Sequence, residues 1–170
     1  YVIAFLLAWL LGRYRASRPG SGWKKDQVDD FVTWAMLGVV VGARLGYVLF
    51  YDLATYQADP MEILRVWNGG MSFHGGLLGV MLISLFWAKK HGKRFLDVLD
   101  FVAPLAPLGL LCGRIGNFIN GELWGKVSDV DWAMVFPGAG ELPRHPTQLY
   151  EAGLEGLLLF LVLWIYSRKP

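Results

Sequence analysis

The sequence predicts an all-α fold, a polytopic bundle of membrane-spanning helices forming a single transmembrane domain over residues 1–170. Three observations predict it. Apolar residues make up 55% of the chain and charged residues only 18%, with eight tryptophans and a mean hydropathy of +0.40, a balance unlike that of a soluble domain. The apolar residues are gathered into runs approaching the roughly 20 residues that a spanning helix needs. Basic residues collect in alternate connections between those runs, as the cytoplasmic side of a membrane protein requires.

Five runs qualify: 1–12, 31–51, 71–88, 96–118 and 147–166. The first is too short to cross alone and opens at Tyr1 without a charged flank, so it is expected to be the tail of a longer helix in a partial sequence rather than a signal peptide. Arg13, Arg15, Arg18, Lys24 and Lys25 fill the first connection, Lys89, Lys90, Lys93 and Arg94 the third, and Arg168 and Lys169 the tail. The stretches 52–70 and 119–146 hold more acidic groups, among them Asp52, Asp59, Glu62, Asp129, Asp131 and Glu141. Chain entry from outside and exit in the cytoplasm follow. Pro104 and Pro107 are expected to bend the fourth span. Residues 126–146, with Pro137, Gly138 and Gly140, read as a short periplasmic cap. A formal charge of +2 is too small to imply nucleic acid, and Cys112, the sole cysteine, lies in an apolar run and reads as a packing residue.

With this topology the polar groups inside the spans fall in one leaflet. Arg44 lies about 20 Å from the inner face at 1.5 Å per residue; His74 opens the third span, Arg114 and Asn117 close the fourth, and Gln148, Glu151 and Glu155 open the fifth. Ionisable groups at membrane depth usually mark function, and an arginine fork suits phosphate. The alternative is that Glu151 and Glu155 simply neutralise Arg44 and Arg114. Around His74, Asn68-Gly69-Gly70-Met71-Ser72-Phe73-His74-Gly75-Gly76 would let backbone amides approach an anion at a helix start. A transporter would use similar groups nearer mid-membrane, and a scaffold subunit would use them to hold a partner.

The segment Gly113-Arg114-Ile115-Gly116-Asn117-Phe118-Ile119-Asn120-Gly121-Glu122-Leu123-Trp124-Gly125 resembles the signature of the bacterial prolipoprotein diacylglyceryl transferases. The resemblance continues, in order, through Arg18–Gly22, Gly42–Tyr47, Gly70–Gly76 and Arg144–Glu151. It implies a seven-span inner-membrane enzyme, of which this chain carries about five, with its active site towards the periplasmic leaflet. Such an enzyme moves the diacylglyceryl group of phosphatidylglycerol onto the lipobox cysteine of a preprolipoprotein and releases glycerol 1-phosphate, with no metal or cofactor. It implies Arg114 and Arg144 as the essential pair and His74 as a catalytic group that takes the thiol proton or orients the head group. Arg44, Asn117 and Glu122 are further site residues it implies; beside them Ser72, Asn120, Gly125, Gln148 and Glu151 are read as substrate-binding, and Glu122 and Glu151 are expected to fix the arginines. Because family members carry further spans, this polypeptide alone is expected to be inactive or unstable.

Overall fold

The computed structural model describes residues 2–167; Tyr1 and the basic tail residues Arg168 and Lys169 lie outside the described residues. Helices α1 (Val2–Ala16), α2 (Lys25–Phe50), α3 (Leu53–Ala58), α4 (Phe73–Lys90), α5 (Phe95–Val102), α6 (Ala106–Asn120), α7 (Thr147–Glu151) and α8 (Leu159–Tyr166) follow in order. Two 3-10 turns, Pro60–Leu64 and Val66–Asn68, separate α3 from α4, and the π-helical segment Ala152–Leu158 joins α7 to α8. Among the described residues the only β pairing is a pair of isolated bridges, Val127 with Arg144 and Met134 with Arg144. The chain divides into two compact units, Trp23–Asp100 and a second made of residues 1–22 and 101–170.

In the Trp23–Asp100 unit, α2 and α4 run antiparallel. Near one end the Trp87 indole donates to Asp30 Oδ2 at 2.7 Å, and towards the other the Ser72 amide donates to the Ala43 carbonyl at 2.9 Å. Helix α2 starts at Lys25, six residues before the apolar run, because Lys24 caps it: its amide donates to Gln27 Oε1 at 3.1 Å. The end at Trp87 is an aromatic stack in which Trp23 lies on Trp87 with centroids 4.9 Å apart, and Phe31 meets Trp87 edge-on at 5.3 Å. Further along, Gly38, Gly42 and Gly46 of α2 face Gly75 and Gly79 of α4 at backbone contact: a Cβ on Gly42 would stand 2.8 Å from Gly79 Cα, and one on Gly46 2.7 Å from Gly75 Cα. This small-residue spacing lets two helices approach without side chains between them.

In the second unit α1 runs parallel to α8, since Arg15 Nη1 donates to Ser167 Oγ at 2.5 Å and the Arg15 guanidinium lies 5.8 Å from the Trp164 ring centroid. Helix α6 runs against them, and α5 and α6 form a helix pair bent by 48°, at the buried prolines Pro104 and Pro107 where a bend was expected. Where regular helix was expected after Glu151, the backbone is π-helical from Ala152 to Leu158. Gly156 there is pressed against Leu111, which a Cβ would approach to 2.7 Å.

Helices α2 and Thr147–Tyr166 are long and apolar enough to cross a membrane, and the bent α5–α6 pair is a third if it counts as one span. On α2 the exposed stripe Leu37, Val41, Leu45 and Leu49 recurs every fourth residue at 45–57% exposure, a contiguous apolar face that water does not tolerate. This is a membrane protein. Helix α1, with 15 residues, and α4, with 18 and two terminal lysines, fall short of the same criterion by themselves.

Candidate functional site

The signature segment forms the end of α6 and the turn after it. Gly121 stops the helix in the left-handed conformation at φ 65°, and the Glu122 amide reaches back to the Asn117 carbonyl at 2.8 Å, the closure that a glycine just past a helix end permits. Leu123 follows at φ 54°, the one described non-glycine residue at positive φ, a conformation costing on the order of 1 kcal/mol. Asn117 Nδ2 meets Glu122 Oε2 at 3.3 Å. Glu122 therefore braces an asparagine and not, as expected, an arginine; its carboxylate is directed back onto α6 by the tight turn. Asn120 is exposed at the last residue of α6.

Arg114 lies nearly two turns inside that helix end. Its Nε stands 3.0 Å from Glu151 Oε2 and its Nη2 3.7 Å from Glu155 Oε2. The expected pairing of Arg114 with both acids is present, and Glu151 is the closer. Arg114 and Glu151 are only part-exposed, at 28% and 36% of their side chains, so the contact is partly shielded from water.

Arg144 is positioned by backbone pairing. Its amide donates to the Met134 carbonyl at 2.8 Å and its own carbonyl accepts from Met134 at 2.9 Å, while the next residue, His145, donates to Lys126 and accepts from Gly125. Gly125 has no room for a side chain here, since a Cβ would lie 2.6 Å from Thr147 Cγ2. The Arg144 guanidinium touches only carbonyls, those of Gly125 and Ala139, each at 3.3 Å, and its Nε is buried without a partner. Among the described residues no carboxylate neutralises it. An open cleft of about 810 Å³ lies in front, lined by Leu123, Trp124, Gly125, Lys126, Arg144, His145, Thr147, Tyr150 and Glu151. Glu151 thus joins the two arginines: it lines the cleft with Arg144 and holds Arg114 from behind.

Gln148, expected among the substrate-binding residues, points inward. It is completely buried, and its Nε2 donates to the Glu122 carbonyl at 2.5 Å, tying α7 to the signature turn. Its Oε1 is buried there without a partner among the described residues.

Arg44, Ser72 and His74 belong to the Trp23–Asp100 unit. Arg44 is 3% exposed and pairs with neither Glu151 nor Glu155. All its donors go to carbonyls of the connection before α4: Nε to Ile63 at 2.9 Å, Nη1 to Gly69 and to Gly70 at 3.1 Å, and Nη2 to Glu62 and to Arg65 at 3.2 Å. The Tyr56 ring covers its face at 5.0 Å. Every N–H is satisfied internally, so the guanidinium has none left for a ligand. Outside the helices, the same connection carries Glu62, whose carboxyl is held below the usual range by hydrogen bonds from Asn68 and then Arg65. Ser72 is the N-cap of α4, its Oγ accepting from the Gly75 amide at 3.2 Å, and His74 is exposed in the first turn beside Phe73.

The model of the prolipoprotein diacylglyceryl transferase family matches residues 1–170. The chain belongs to that family. It is 64% identical over 99% of its length to a phosphatidylglycerol–prolipoprotein diacylglyceryl transferase of Solidesulfovibrio magneticus. It is 57% identical over all of it to a protein of the same name from Oleidesulfovibrio alaskensis, and 59% identical to one from Pseudomonas paraeruginosa. The chain spans about 64% of the length of these curated relatives. Of the residues lining the cleft, Lys126, His145, Tyr150 and Trp124 carry no role in the reading of the sequence. The signal for His145 and Tyr150 was the block Arg144–Glu151 and for Trp124 the signature segment, while Lys126 lies one residue past that segment.

Proposed function

We propose that the protein transfers the diacylglyceryl group of phosphatidylglycerol to the thiol of a lipobox cysteine in a preprolipoprotein, forming a thioether and releasing glycerol 1-phosphate. The observation that carries this reading is Arg144, a cation with only long carbonyl contacts, beside Lys126 on a cleft wall and joined through Glu151 to Arg114. A phosphodiester anion satisfies such a wall, and a forked donor matches phosphate oxygens better than a point charge. As the carbon–oxygen bond breaks, charge collects on the departing phosphate. Arginines held in place beforehand stabilise that charge by a few kcal/mol, as preorganised donors do elsewhere. Asn117 and Glu122 brace the turn carrying Gly125, and Arg44 acts as a positioning residue for the connection that leads to Ser72 and His74. His74, at the start of α4, serves the lipid head group.

We place five spans in this chain within the bacterial inner membrane, with residues 126–146 as a periplasmic cap and the cleft on the periplasmic leaflet. The connection basicity and the antiparallel order inside each unit support that placement. The test is a chimera in which residues 1–170 replace the matching part of the Solidesulfovibrio magneticus relative, given phosphatidylglycerol and a lipobox peptide in detergent. Release of glycerol phosphate together with a mass gain of one diacylglyceryl group on the peptide is expected; a folded chimera that releases none refutes the reading.

A further inference from the structure

Transfer to a thiol needs a proton acceptor, because a cysteine with a pKa near 8.5 is only a few per cent ionised at neutral pH. The cleft contains one. We propose that His145 is the base that takes the proton of the attacking thiol, held for that task by Tyr150 and Trp132; the inference rests on the transferase reading above.

The His145 backbone is fixed on both sides, its amide donating to Lys126 at 3.0 Å and its carbonyl accepting from Gly125 and from Thr147, each at 2.9 Å. Its ring is fixed as well. Nδ1 stands 3.1 Å from Tyr150 Oη, and the same oxygen receives the Trp132 indole N–H at 2.6 Å. An indole can only donate, so the Tyr150 oxygen is an acceptor in this chain. Its second lone pair can also accept Nδ1–H from the neutral ring, and this is the tautomer the proposal assigns, the other arrangement being the phenol O–H donated to Nδ1. In the assigned tautomer Nε2 is a basic lone pair on the cleft side of the ring. The half-buried ring lines the cleft together with Arg144. Its charged and titratable neighbours on that wall are Lys126, Arg144, Tyr150 and Glu151.

The step balances. The thiol proton passes to His145 Nε2, and the sulfur forms a bond to the lipid glycerol carbon that bears the phosphate. The carbon–oxygen bond breaks, its electron pair leaving with glycerol phosphate, and the proton on Nε2 passes to that phosphate, restoring the neutral ring. Tyr150 is a positioning residue: it sets the tautomer without touching the substrate.

In the chimera, His145→Gln is expected to lower kcat at pH 7 about 100-fold or more, the scale of general base catalysis, with KM changed by less than about threefold. Because the thiol ionises unaided at higher pH, the deficit should shrink roughly tenfold per pH unit towards pH 8.5. A selenocysteine peptide, ionised at neutral pH, should recover most of the lost rate. Tyr150→Phe should cost about tenfold in kcat and respond to pH in the same way. A His145→Gln deficit that is equal at every pH and is not relieved by selenocysteine overturns the assignment, as does a loss confined to KM. In those cases the chimera with His145 intact still turns over, which keeps the transferase reading separate. Nitrogen-15 spectra of the chimera in micelles test the geometry without turnover: a neutral His145 protonated on Nδ1 is expected, and a ring protonated on Nε2 overturns it.

Discussion

Replacing Gly42 by alanine tests the packing on which the Trp23–Asp100 unit depends. The new methyl carbon would stand 2.8 Å from Gly79 Cα and closer still to the Gly75 carbonyl oxygen. Carbon atoms rest at about 3.5 Å or more, so α2 and α4 must separate by about 0.7 Å. Both obstacles are backbone and cannot rotate aside. Overpacking of this kind costs about 1–3 kcal/mol, and separation also removes close contacts along the Gly38, Gly42 and Gly46 row. Gly76→Ala is the control, because a Cβ there meets Ala43 Cβ at 3.5 Å, an ordinary contact, while the gain in helix propensity of up to about 1 kcal/mol is the same. Reversible unfolding of the chain in mixed micelles, followed by Trp23 and Trp87 fluorescence, should place Gly42→Ala about 1–3 kcal/mol below wild type and Gly76→Ala at or above it. Equal stability of the two variants would refute the reasoning.

Other consequences are as direct. Arg44→Lys replaces five donors by three and leaves at least two part-buried carbonyls without their donor, which should cost about 1–3 kcal/mol and speed amide exchange from Glu62 to Gly70 before exchange within α2. In that connection, the Glu62 carboxyl is held low by Asn68 and Arg65, so its contribution is present above the ordinary glutamate pKa near 4.3 and is lost as pH falls through its lower folded value. Exchange protection of residues 62–68 should persist at pH 5 and fade at more acid pH, and Glu62→Gln should reproduce the acid behaviour at pH 7. Glu151→Gln should lower turnover roughly fivefold, for about 1 kcal/mol of part-exposed ion pairing. Glu155→Gln, at 3.7 Å against 3.0 Å, should lower it less.

Hydropathy and proline placement made the helices legible, down to the 48° bend at Pro104 and Pro107, because both are local properties of the chain. The π-helical segment was not legible, since it arises where Gly156 meets Leu111, a tertiary contact 45 residues away in sequence. The glycine row of α2 stands in the sequence as a four-residue repeat, Gly38, Gly42 and Gly46, but its partner row on α4 is set by tertiary packing. In the site, the Arg114 pairing followed from which residues close one span and open the next. The direction of a side chain did not: Gln148 and Glu151 are three apart, yet one is sealed behind the signature turn and the other faces the cleft. Arg44 shows the same limit, for its partners are backbone carbonyls, which a sequence does not display as acceptors.

The central claim is that forked guanidinium groups stabilise the departing phosphate. Glycerol phosphate release by the chimera carrying Arg114→Lys tests it most directly, since lysine keeps the charge and removes the fork. The account predicts a loss of at least about 100-fold in kcat with the fold intact. Turnover within a few-fold of wild type would contradict it.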